Sequence, residues 1–215
     1  MKHKIIPTVF AHNKKEFNER FSRLVKISKS IQIDFMDGRF VKNKGVDIGD
    51  IPNLKKFKIR FEAHLMTRNP EKYIKKLKEK GFKKIIFHYE AVRNNDKIEK
   101  LIKRIKYLQM DVMIAINPST SIEKIIRFLD EIDGVLVMGV YPGREHQKFI
   151  KSVYNKIKRL RKINKKVISQ VDGGVNPNNI SKFKEIGVNY INSGSFVGES
   201  DNAIGALRSL ENGFS

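Results

Sequence analysis

The sequence predicts an α/β protein, a single (β/α)8 barrel, and three observations carry that prediction. From Lys4 onward short β-rich runs alternate with longer amphipathic ones. Eight such units fit into 215 residues, which favours a compact barrel over an open doubly wound sheet. No Ser/Gly-rich linker and no low-complexity stretch divides them, so residues 1–215 are expected to form one domain.

The expected strands are Lys4 to Phe10, Ile31 to Met36, Ile59 to Met66, Lys84 to His88, Asp111 to Ile116, Gly134 to Met138, Lys166 to Val171 and Tyr190 to Asn192. The second organises the rest. Along Ile31-Gln32-Ile33-Asp34-Phe35-Met36-Asp37-Gly38, the residues Ile31, Ile33 and Phe35 face one way and Gln32, Asp34 and Met36 the other. In a parallel barrel one face of each strand fills the interior, and a polar pair near the C-terminal end stands at the mouth where chemistry is done. The alternative is an edge strand with one wet face. After the sixth strand, Phe149, Ile150, Val153, Tyr154, Ile157, Leu160 and Ile163 recur in steps of three and four, predicting a helix over Gln147 to Ile163. Asn69-Pro70 and Asn176-Pro177 each put a capping side chain before a proline and mark helix starts.

Composition narrows the function. The chain is long enough to bury a sizeable core without cross-links. It has no cysteine, which excludes disulfides and thiolate metal sites and is compatible with a reducing cytoplasm, the expected location. Met1 to Pro7 is too short an apolar run for a signal peptide, and no stretch reaches membrane-span length, so a soluble protein with no membrane partner is expected. Lys plus Arg number 44 against 23 Asp plus Glu, a net charge of +21. The lysines lie mainly between apolar positions of helical segments such as Glu71 to Lys80 and Lys151 to Lys166, where they read as solvated faces. Without an Arg-rich tail or an aromatic-interleaved basic stripe, nucleic acid is not the expected partner. A positive field suits a small phosphorylated substrate equally well.

In a barrel the strand ends converge on one mouth. Strand two offers Gln32, Asp34 and Met36; strand three Glu62, His64 and Met66; strand four His88 and then Glu90; strand six Met138; strand seven Asp172. Asp34, His64 and Asp172 form an oxygen- and nitrogen-rich set able to hold Zn²⁺, Fe²⁺ or Mn²⁺, with Gln32 as a weak fourth ligand through its amide oxygen. Two carboxylates on opposite walls also suit proton removal and return. Asp172-Gly173-Gly174-Val175 and Ser193-Gly194-Ser195 follow the last two strands, where glycines let backbone N–H groups approach a phosphate. A third loop, Tyr141 to Gln147, carries Gly143. Met36, Met66 and Met138 on their own read as adaptable core filling.

At these residues the chain resembles the ribulose-phosphate 3-epimerase family, from Ile6 nearly to Val197. The resemblance is carried by Asp34-Phe35-Met36-Asp37-Gly38, His64-Leu65-Met66, His88-Tyr89-Glu90-Ala91, Asn117-Pro118, Val137-Met138, Pro142-Gly143, Gln147-Lys148-Phe149, Val171 to Pro177 and Gly194-Ser195. It implies a TIM barrel that interconverts D-ribulose 5-phosphate and D-xylulose 5-phosphate with one divalent ion, Zn²⁺, Fe²⁺, Mn²⁺ or Co²⁺. Asp34 and Asp172 would be the acid–base pair and, with His64 and Gln32, the metal shell. His64, Met36, Met66, Met138, Gly143, Gly173, Gly174, Gly194 and Ser195 would contact a phosphorylated ketose, and a homo-oligomer is implied. The chain departs from the family pattern at three places. Gln32 stands where the family has a histidine, Ala11 aligns with its substrate-contacting serine, and Arg144-Glu145-His146 replaces a glycine-rich stretch. Looser metal binding, or preference for a harder ion such as Mn²⁺, is expected from the first. His12 or His146 could replace the missing ligand, and Arg144 either adds charge for phosphate or pairs with Glu145 in solvent. The competing functions are a ketohexose-6-phosphate 3-epimerase and a catalytically weakened barrel that binds a phosphorylated ligand or RNA.

Overall fold

The computed structural model describes residues 4–214. Eight parallel strands close in sequence order into a barrel: β1 Lys4–Val9, β2 Ser30–Met36, β3 Arg60–Met66, β4 Lys84–His88, β5 Asp111–Ile116, β6 Gly134–Met138, β7 Ile168–Asp172 and β8 Tyr190–Ser193. The surrounding helices are α1 Lys14–Leu24, α2 Ile74–Lys80, α3 Tyr89–Val92, α4 Asn95–Tyr107, α5 Val153–Ile163, α6 Ile180–Glu185, α7 Ser195–Gly198 and α8 Ala203–Phe214. No helix among the described residues is long and apolar enough to cross a membrane.

Local chemistry explains the element starts. Asn13 accepts from the Glu16 N–H, one of the donors that helix geometry leaves free, while the Glu16 carboxylate turns back to accept from the His12 N–H just ahead of the cap. Phe17, Phe21 and Leu24 then fall on one stripe and are buried, each contributing roughly 1.5–3 kcal/mol. In α4 the buried face is Ile98, Leu101, Ile102 and Ile105, behind an Asn94 cap. Ile31, Ile33 and Phe35 of β2 join the apolar layer between barrel and helices, while Gln32 and Asp34 point into the barrel beside residues of β3 and β7.

The departures from expectation larger than a single residue lie at helix starts and at the start of β7. The helix after β6 begins at Val153 rather than Gln147. Residues 147–152 instead run against the barrel, with the Ile150 N–H donating to the Gly139 carbonyl and Phe149 packed on Gly174, where a Cβ would come within 2.8 Å of the Phe149 backbone. β7 starts at Ile168 because Asn164 folds back to accept from the N–H groups of Lys166 and Val167. Pro70 opens a 3-10 turn ahead of α2 with no side-chain cap from Asn69, and Asn176 accepts from Asn178 in a turn ahead of α6. Both Asn-Pro pairs mark turns that lead into helices.

The barrel interior is divided. On the β4–β6 side it is filled by Ile86, Met113, Ala115, Leu136 and Met138. Its lower polar layer holds Glu62, Lys84, Gln170 and Asn192, joined by Lys84 to Glu62 at 2.7 Å and by Gln170 to Glu62 at 2.9 Å and to Asn192 at 2.6 Å. Glu62 is therefore consumed by a buried ion pair one layer below the mouth. In the parallel register Asp34 is paired with His64, Met36 with Met66, Met138 with Asp172, and Asp172 with Asn192. That register sets the strand residues of the site.

Candidate active site

Asp34, His64 and Asp172 arrive at the C-terminal ends of β2, β3 and β7, all buried, each offering a ligand atom within 4.8 Å of the others. His64 Nδ1 lies 3.1 Å from Asp34 Oδ1 and 3.6 Å from Asp172 Oδ2. Directly below, the Gln32 amide nitrogen donates to Asp34 Oδ1 at 2.9 Å and to Asp172 Oδ2 at 2.7 Å, and Gln32 Oε1 is buried without a partner. Burial first, and the charge of Asp34 second, push the Asp172 carboxyl up to about 7. Burial works against a charged His64, but the hydrogen bond and charge of Asp34, with Asp172 behind it, outweigh that and raise its pKa.

A relay behind His64 orients its ring. His64 Nε2 lies 2.9 Å from His88 Nε2, His88 Nδ1 faces Glu90 at 3.4 Å, and Glu90 accepts from the Asn117 N–H at 2.7 Å and from the Thr120 hydroxyl. His88 Nδ1 and Glu90 Oε2 face each other at 3.4 Å without a hydrogen bond, so the contact that holds the His64 ring from behind is the one between the two Nε2 atoms. With Nε2 engaged by His88, His64 Nδ1 faces the carboxylate centre. The donor set fits a divalent cation: two buried carboxylates and one imidazole, in surroundings that otherwise hold a proton on Asp172.

The cavity above this centre has a volume of about 100 Å³. Asp34, His64, Asp172, Met66 and Met138 line its floor side, and Gly143, Gly173, Gly174, Gly194 and Ser195 line the rest. Met36 packs with Phe10 and Met66 beside it. Ala11 is buried away from the cavity. Thr8 lines it instead and accepts from the Asn192 amide at 3.3 Å, so the first strand does supply a hydroxyl. Neither candidate replacement histidine joins the Asp34–His64–Asp172 group: His12 Nδ1 lies 3.2 Å from the Lys44 carbonyl, and His146, on the cavity wall, lies 3.2 Å from Glu199. Glu145 does not pair with Arg144 in solvent; it is largely buried against Arg20 of α1. A wider hollow of about 820 Å³ adjoins the mouth, lined by Arg39, Lys42, Arg68, Arg93 and Arg144, which concentrates positive charge where an anionic substrate would enter.

Residues 4–197 match the model of the Ribulose-phosphate 3 epimerase family. The chain belongs to that family. It is 32% identical to the ribulose-phosphate 3-epimerase of Schizosaccharomyces pombe, over 97% of this chain and 92% of the relative. It is also 32% identical to the cytoplasmic isoform of Oryza sativa subsp. japonica, over 95% and 92%. The epimerase of Aquifex aeolicus is 34% identical over 78% of this chain and 76% of its own. The chain is accordingly an isomerase of the carbohydrate-phosphate epimerase class. Solved structures share its fold at low identity. These include 3-keto-L-gulonate-6-phosphate decarboxylase from Vibrio cholerae, TM-score 0.75 at 11% identity, covering 100% of this chain and 98% of that one. Another is 3-hexulose-6-phosphate synthase from Salmonella typhimurium, TM-score 0.72 at 16%, covering 98% of each.

Sequence reasoning misses Arg20, Asn192 and the cavity role of Thr8. Asn192 carries a signal, a polar residue at an inward position of β8 in register with Asp172. Arg20 carries none, because on α1 it reads as another solvated charge.

Proposed function

We propose that this epimerase interconverts D-ribulose 5-phosphate and D-xylulose 5-phosphate by two-aspartate proton transfer at C3. The observation that supports it most is the meeting of Asp34 and Asp172, from opposite walls of the barrel, on the single imidazole of His64. The C3 hydrogen lies next to the C2 ketone, so its removal by a carboxylate leaves an enediolate. A proton returned from the opposite face inverts C3. Asp34 takes the proton on one face and Asp172, whose carboxyl is pushed toward its protonated form by burial and by the charge of Asp34, returns one on the other. In the reverse direction the two exchange roles.

Asp34, His64 and Asp172 are the residues that would hold a divalent ion of the Zn²⁺, Fe²⁺, Mn²⁺ or Co²⁺ class, and His88 would keep His64 oriented toward it. When bound, such an ion supplies positive charge that offsets the charge developing on the sugar oxygens. Met66 and Met138 exclude water from the reacting carbon, and Thr8 meets a sugar hydroxyl. Gly173, Gly174, Gly194 and Ser195 face the phosphoryl group, with Gly143 closing over it.

A competition assay with ribulose 5-phosphate and a ketohexose 6-phosphate, run with elemental analysis of the purified protein, tests this reading. Preferential inversion of the pentose at C3 supports it. Preference for the hexose reassigns the substrate, and salt-sensitive RNA binding without turnover of either sugar rejects the enzyme.

A further inference from the structure

Glu145 occupies the end of the cavity where the glycine loops converge. Its Oε1 lies 2.9 Å from the point at which a Cβ on Gly194 would stand, and Gly173, Gly174, Gly194 and Ser195 line the same region. The charge is met by Arg20, whose Nη1 lies 3.0 and 2.8 Å from the two carboxylate oxygens of Glu145. Arg20 Nη2 donates to Glu199, which in turn faces His146 at 3.2 Å. The side chains of Arg20 and Glu145 are only 15% and 12% exposed. Burial raises the Glu145 pKa against the opposing pull of Arg20, so the carboxylate is held in surroundings that do not favour its charge.

Two further observations point to a ligand at this end rather than to an ion pair that only braces the fold. Ser193 lines the cavity, is 3% exposed, and its hydroxyl is buried without a partner. The cavity, at about 100 Å³, is far below the ~300–1,000 Å³ usual for a ligand pocket, and the Glu145 side chain takes up part of the missing space. A carboxylate and a phosphoryl group both take guanidinium N–H groups, and here Arg20 presents one of its two terminal nitrogens to Glu145. Like charges cannot share them.

We propose that Glu145 is a displaceable internal anion: the phosphoryl group of the ketose phosphate takes its place beside Gly194, and Arg20 passes from the carboxylate to the phosphoryl oxygens. The inference rests on the ketose-phosphate reading above and adds a specificity determinant to it. An unphosphorylated sugar brings no anion to exchange and leaves Glu145 in position, whereas a phosphate ester releases it and gains Arg20.

Inorganic phosphate is the probe, titrated by calorimetry and as a competitor of ribulose 5-phosphate turnover. The proteins are the wild type, Glu145→Gln, Glu145→Ala and the double variant Arg20→Met/Glu145→Gln, each checked for an intact thermal transition. Both single variants are expected to bind phosphate at least about tenfold tighter than the wild type, because the competing carboxylate is gone. The double variant is expected to lose that gain. Phosphate affinity unmoved in both single variants overturns the displacement, and a double variant as tight as Glu145→Gln removes Arg20 from it. Wild-type turnover of ribulose 5-phosphate alongside unmoved phosphate affinity leaves the epimerase reading standing without the displacement. Tighter phosphate binding in the variants with no wild-type turnover of a sugar phosphate does the reverse.

Discussion

Gln32 reaches from β2 across the barrel floor to Asp172 on β7, donating from its amide nitrogen to Oδ2 at 2.7 Å. The same nitrogen lies 2.9 Å from Asp34 Oδ1, so one neutral NH₂ group ties together the two carboxylates proposed to work on the substrate. Its oxygen is left buried and unpaired, an arrangement that costs about 1–3 kcal/mol. A cation between the carboxylates would make the opposite demand and favour the oxygen.

Gln32→His should therefore raise metal retention. Imidazole is a stronger donor to Zn²⁺, Fe²⁺ and Co²⁺ than an amide, and the substitution also removes the N–H groups that compete with a cation. Metal affinity is expected to rise about tenfold, the scale on which changes around the ligands act, so that the variant keeps more metal than the wild type after exhaustive dialysis. Unchanged content would remove position 32 from the shell.

Asp34→Asn and Asp172→Asn separate folding from proton transfer. Each should lower kcat by about 10²–10⁴-fold, the usual worth of a positioned acid or base, while the thermal transition is kept. Solvent-deuterium exchange at C3 distinguishes them. In the direction in which Asp34 is the base, Asp34→Asn should abolish exchange into substrate. Equal residual kcat in both variants and the wild type would end the two-aspartate proposal.

Lys84→Met tests the polar layer beneath the site. Lys84 and Glu62 are 4% and 1% exposed and 2.7 Å apart, and removing one partner of such a pair typically costs about 3–5 kcal/mol because the other charge is left buried. Urea denaturation should show that loss, and Glu62→Leu/Lys84→Met should recover most of it. A single variant as stable as the wild type would show that the pair carries little.

Lys156 of α5 donates to the carbonyls of Asn117 and Pro118 at 2.6 and 2.8 Å, and burial lowers its pKa from 10.5 to about 8, against the pull of Glu90. Between about 8 and 10.5 the unfolded chain binds the proton that the folded chain has lost, so this group's contribution to stability rises with pH across that window. Wild type should gain on Lys156→Met between pH 8 and 10 in urea midpoints. A difference that stays flat with pH would contradict the assignment.

Much of the site was legible before folding was considered. The alternation in β2 turns Gln32 and Asp34 inward, and period-two geometry leaves no other face for them once Ile31, Ile33 and Phe35 are committed to the helices. The glycines after β7 were legible for a similar reason, since Gly173 and Gly174 adopt φ of +101° and +71° that side chains rarely tolerate; Gly194 after β8 has φ −79° and is set instead by the close approach of Glu145. The start of α5 was not, because Phe149 and Ile150 continue the helical stripe in sequence yet are held by contacts with Gly139 and Gly174, residues distant from them along that helix face.

From residue order alone came the barrel, the inward acids and the glycine loops, because all three depend on local periodicity and backbone freedom. Tertiary structure decided that the Gln32 amide faces the carboxylates with its nitrogen, that Thr8 rather than Ala11 lines the cavity, and that Arg20 pairs with Glu145. Each of these depends on distance across the closed barrel or between its loops. Arg20 and Glu145 are 125 positions apart, and only the closing of β1 against β8 brings α1 beside the loops that carry them together.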